Sequence, residues 1–154
     1  MSATMSVVER LSTLVPEMVV FGGAVVVSVT GLSPRRSVRA ATSTITVLTM
    51  VAALLALAKG WGGTTASGLL LPEVGPFARG LILLMGIGGA ALASGLIDRR
   101  YEDAVARGVT PFDPIRVVRG EFFAFMMLSI CGAMLIPGSP DLVWLFLALE
   151  LTSL

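Results

Sequence analysis

An acidic side chain stands almost alone in the most apolar stretch of this chain. Residues Asp141 to Leu154 read DLVWLFLALELTSL, and Glu150 is the one carboxylate side chain after the opening Asp141. Read as a helix, the segment places Glu150 about ten residues, roughly 15 Å, beyond its start, near the middle of a ~30 Å hydrocarbon core. An ionisable group inside a membrane costs several kcal/mol and is usually kept for a proton or ion pathway. A carboxylate at that depth can pass on a proton where a basic partner or a chain of water lies close. The competing reading is a capping or interfacial glutamate on a helix that does not insert.

The remaining charged residues of the apolar runs have simpler explanations available. Glu121 opens a run in Gly120-Glu121-Phe122-Phe123. A carboxylate in a first helical turn is stabilised by the helix dipole, by about 0.3–1 kcal/mol. Its functional alternative is the cytoplasmic mouth of a proton path. Glu17, after Pro16, has the same first-turn placement at the other end of the fold. Arg79, in Phe77-Ala78-Arg79-Gly80, can snorkel to the outer interface. Asp141 is expected to cap the helix that carries Glu150.

Other chemistries find little support. The chain has no histidine, which removes the commonest metal ligand and general base. Cys131 is the single cysteine, so no intrachain disulfide can form and no cluster exists for iron–sulfur ligation. No metal-binding or cofactor-binding residue is expected in this chain. Net charge is +1, and the basic residues fall in short loops rather than on one face, so no nucleic-acid partner is expected.

The elements that must position Glu150 are membrane helices. Hydrophobic residues make up 55% of the chain, charged residues 14%, and mean hydropathy is +0.91. A soluble domain carries about 25% charged residues. The expected architecture is an all-α membrane protein with four transmembrane helices plus a truncated fifth. The spans are expected at 14–32, 38–58, 76–97 and 120–136, with the fifth starting near Pro140. Residues 1–13 form a polar segment that does not read as a signal peptide. Residues 14–119 hold three helices with their loops, and 120–154 hold the fourth helix and the start of the fifth. Small-xxx-small spacing in the third span, as at Gly86 and Ala90, suits close packing in lipid. Met126, Met127, Met134 and Cys131 read as packing residues of the fourth span.

Loop charge sets the expected orientation. Arg35, Arg36 and Arg39 follow the first span, and Arg99, Arg100, Arg107, Arg116 and Arg119 follow the third. Those loops are therefore expected in the cytoplasm and the N-terminus outside. Residues 101–107 suit a short surface helix. The Gly-rich stretch 59–75 is expected to be irregular on the outer face, with Trp61 at the interface. The last apolar run ends after fourteen residues, about 21 Å, which is short of a full span. The expectation is the N-terminal fragment of a longer membrane protein.

The C-terminal third also resembles a known family. Gly120-Glu121-Phe122-Phe123-Ala124, then Ser129 and Gly132, then Asp141-Leu142, then Leu149-Glu150-Leu151-Thr152-Ser153-Leu154 resemble subunit N of the proton-pumping NADH–quinone oxidoreductases, respiratory complex I. Leu14-Val15-Pro16-Glu17 and Phe77 to Leu83 resemble it more weakly. Pro137-Gly138-Ser139-Pro140 is richer in proline than the family's turn. The resemblance implies the N-terminal part of an antiporter-like helical bundle with inverted repeats. It implies that Glu150 serves proton translocation, paired with a lysine on a later broken helix that lies outside this sequence. It further implies coupling to quinone reduction, partnership with other membrane subunits of complex I and with the lipid bilayer, and a multi-pass place in a bacterial inner (plasma) membrane. The chain alone is expected to have no enzymatic activity and not to pump. Two alternatives belong to other classes: a subunit of a multisubunit sodium/proton antiporter, and a non-transporting helical membrane scaffold.

Overall fold

A computed structural model describes residues 13–60, 74–97, 99–111, 113, 118–139 and 141–153. The described elements are all helical: α1 (Val15–Gly31), α2 (Arg36–Gly60), α3 (Val74–Ser94), α4 (Arg99–Ala106), α5 (Arg119–Leu135), a 3-10 turn (Ile136–Gly138) and α6 (Leu142–Thr152). Trp61 and nearly all of the expected outer loop lie outside the described residues.

Helix starts and stops follow the local chemistry. Pro16 occupies the opening turn of α1, where its missing N–H has no helical partner to lose. Glu121 sits in the first turn of α5. The 3-10 turn containing Pro137 and Gly138 breaks α5 from α6. Asp141 then caps α6 as expected: its Oδ1 accepts a hydrogen bond from Trp144 N at 2.8 Å. The short helix expected at 101–107 is present as α4.

Three stretches are long and apolar enough to cross a membrane: Ser37–Gly60, Val74–Ser94 and Arg119–Gly138. They give the chain the character of a membrane protein. Helix α1 is apolar but has 17 residues, about 25 Å. Helix α6 has 11 residues, about 16 Å. Large apolar side chains cover the outside: Phe21, Val29, Leu55, Met85, Leu92 and Phe146 are all exposed. An apolar wall of this kind is what hydrocarbon solvates and water does not.

Helix α5 is the hub, packing on α1, α2, α3 and α6. Its Phe123, Met127, Cys131 and Met134 are buried with Val20, Val27, Met50 and Leu83 from the helices around it. Gly31 of α1 and Gly120 of α5 meet backbone to backbone, and a β-carbon on either would overlap the other's Cα. In lipid such close approach replaces the hydrophobic drive that water supplies to soluble bundles. Of the small residues expected to pack α3, Gly86 and Ala90 are buried, with Gly86 against Ile130 and Met50. Gly88, Gly89 and Gly95 face open space.

The polar groups of α2 are satisfied within it or at neighbouring helix ends. Buried Thr42 and Thr46 donate back to Arg39 O and Thr42 O at 2.7 and 2.9 Å. Arg39 is buried, and its Nη1 donates to Ser33 O and Pro34 O at 3.0 and 2.8 Å, just past the end of α1. Arg119 Nη2 donates to Ser94 O, the last residue of α3, at 2.8 Å. Arg119, counted as loop charge, thus also closes the C-terminus of α3, where a cation meets the negative end of the dipole, while Arg39 ties down the connection between α1 and α2.

Candidate functional site

Glu150 lies on α6, in a run of leucine, alanine and phenylalanine with no other charge. The helix is held to α5 along one narrow seam. Gly132 lets it approach, because a β-carbon there would press on Thr152 N and Ala148 O, at 2.6 and 2.9 Å. Ser129 Oγ donates to Thr152 O at 2.7 Å. Ala148 is the buried residue of α6, whereas Leu142, Val143, Phe146, Leu147 and Leu149 are exposed. Glu150 is exposed too, on the side turned away from the described helices.

Glu121 is exposed in the first turn of α5. The contacts of Thr152 with Ser129 and Gly132 put Glu150 level with residues 130–131 of α5. Nine or ten residues separate that level from Glu121, roughly 14 Å along the axis. The two carboxylates singled out in the sequence are therefore not brought together.

A different pair is brought together. Glu17 of α1 is 3% exposed, and its Oε1 is 3.2 Å from Arg79 Nε of α3. Arg79 Nη1 also donates to Thr13 O at 3.3 Å. Glu17 does sit in the first turn of α1, as expected, but it also faces a cation there, and Arg79 turns toward it rather than snorkelling outward. Both side chains turn inward and neutralise each other, because desolvating either one alone is far costlier than desolvating the pair. Both Glu17 carboxylate oxygens are buried without a hydrogen bond of good geometry from the described residues.

Cys131 Sγ reaches Glu17 O at 3.5 Å, which fixes the depth of the pair at the Cys131 level of α5. Glu17 and Glu150 therefore lie at similar depth. Cys131 faces α1 while Gly132 faces α6, since successive helical residues point about 100° apart. The body of α5 separates the two carboxylates. The signal for the buried pair was present in the sequence: opposite charges in the opening turns of two helices that the arginine pattern starts from the same membrane face.

Comparison with known proteins returns no match: no family model, no curated protein and no solved structure is similar to this chain.

Proposed function

We propose that this chain is a membrane-arm subunit of a proton-pumping NADH–quinone oxidoreductase, contributing to proton translocation coupled to quinone reduction, with Glu150 as the proton-carrying residue. The observation that carries the reading is Glu150 itself, a lone exposed carboxylate in the last turn of an otherwise apolar helix, within the stretch 120–154 that resembles subunit N. A bilayer tolerates such a group where a transport path needs it.

In this reading α1, α2, α3 and α5 are four spans and α6 begins a fifth. The N-terminus and the 3-10 turn lie outside, the arginine-rich segments inside, and the membrane is a bacterial inner membrane. The 17 residues of α1 suffice where the bilayer thins or flanking side chains snorkel. The charge that faces Glu150 is the lysine that the resemblance implies on a later broken helix. Glu121 is a minor contributor at the cytoplasmic mouth.

The test is a pair of substitutions in membranes carrying the complete enzyme. Glu150→Gln keeps the shape and removes the charge, so proton uptake is expected to slow, and coupled quinone reduction with it. Glu121→Gln is expected to change both far less, because a first-turn carboxylate contributes only about 0.3–1 kcal/mol. Transport that follows sodium rather than protons would replace this reading with that of a sodium/proton antiporter subunit.

A further inference from the structure

Three segments of the chain meet at the end of the bundle where α6 begins, and Arg79 touches all of them. Its Nε faces Glu17 Oε1 on α1 at 3.2 Å. Its Nη1 donates to Thr13 O, just ahead of α1, at 3.3 Å. Its Nη2 lies against Gly138 in the 3-10 turn, where a β-carbon would overlap it. The opening of α3 meets that turn again, since a β-carbon on Gly75 would lie 3.8 Å from Pro137 O. The turn is itself closed by Ser139 Oγ donating to Leu135 O at 3.1 Å.

Elsewhere among the described residues, helix α6 is held only along its seam on α5, where Leu151 packs against the core and Gly132 meets its backbone. Ala148 is its buried residue, and its far end is tied to α5 by the Ser129–Thr152 bond. An apolar helix in lipid gains almost nothing from one depth over a neighbouring one, so its register is left to polar ties at its ends. The near-end tie is the turn, and the turn is braced by the guanidinium.

We propose that Glu17 and Arg79 are positioning residues for α6: the guanidinium, held by the Glu17 carboxylate, fixes the Ile136–Gly138 turn against α1 and α3 and so sets the depth of Glu150. Its meaning for proton transfer rests on the function proposed above, whereas the positioning itself does not. An arginine suits the task because its planar fork can face a carboxylate, a carbonyl and the turn at once. A lysine ammonium in its place could neutralise Glu17 but not span all three.

Trp144 on α6 reports the depth directly. The only other tryptophan is Trp61, and Trp61→Phe removes it. The full chain carrying Trp61→Phe is reconstituted into phosphatidylcholine vesicles brominated at successive acyl positions, and quenching of Trp144 is compared. Adding Arg79→Lys keeps the charge balance and is expected to shift the bromine position of strongest quenching by about one helical turn, ~5 Å. Gly138→Ala, which pushes Nη2 off the turn, is expected to shift it in the same direction by less. A pair that only adds stability would lower the melting temperature and leave Trp144 where it was. That result, in Arg79→Lys protein with undiminished helical circular dichroism, overturns the proposal. Loss of the transport reading through an inert Glu150→Gln would leave the Trp144 shift untouched, so the two ideas fail separately.

Discussion

The two sides of α5 treat a carboxylate in opposite ways. On the α1 side Glu17 is buried and paired with Arg79, and the backbones close to glycine–glycine contact at Gly31 and Gly120. On the α6 side Glu150 is exposed on a helix with a single buried residue. A charge that serves architecture is neutralised within the chain that folds around it. Under the proposed function, a charge that serves transport has to remain reachable by a partner that comes and goes. Depth alone therefore says little about the role of a carboxylate here, because these two glutamates lie at similar depth and differ in what faces them.

The strongest way to break the comparison is to remove the charge on the tight side. Glu17→Gln leaves the half-buried Arg79 without its counter-ion. The expected loss is about 3–5 kcal/mol, as for other half-broken buried pairs. It is read as a fall in assembled protein and in melting temperature. The double variant Glu17→Gln with Arg79→Gln removes the stranded charge and is expected to recover most of that stability. A Glu17→Gln protein as stable as the parent would show that the pair is not the anchor described here.

The glycines sharpen the comparison at smaller scale. Gly120→Ala forces a β-carbon into the α1 backbone, between two helices that other packing already fixes. Its expected cost is about 1–3 kcal/mol, the range for overpacking a filled core. Gly132→Ala meets the α6 backbone. Because α6 can slide outward, the cost is expected at the low end, about 1 kcal/mol. Equal melting-temperature losses for the two would mean that α6 is held as firmly as α1. Smaller again is Asp141→Ala, which removes the cap on Trp144 N and should cost about 1 kcal/mol or less. Leu147→Ala, on the bare face of α6, should fall within about 0.5 kcal/mol.

Much of this architecture was legible in the sequence, for reasons that are local. Long apolar runs must be helical in lipid, since a backbone without water has to bond to itself. Asp141 before an apolar run announces its own cap. What escaped depends on how helices are rotated against one another. Nothing within α1 says that Glu17 faces α3, and nothing within α3 says that Arg79 faces α1, although their shared membrane face made the pairing available. Counting arginines by loop located the charge but not its direction, so the inward turn of Arg39 onto Ser33 O and the capping of Ser94 O by Arg119 were missed. The Gly31–Gly120 crossing was equally invisible, because either glycine alone reads as a helix end. Glu150 is the reverse case: its isolation is a property of α6 itself, and the sequence shows it plainly.

The proposed contrast between an architectural Glu17 and a transporting Glu150 is tested most directly by proton uptake per assembled enzyme in Glu150→Gln membranes. The expected result is a normal content of assembled complex with markedly slower proton uptake, because Gln fills the same space on an exposed face and cannot carry the charge. Uptake at the parent rate in correctly assembled Glu150→Gln complex would contradict it and leave Glu150 a passive residue of the α6 surface.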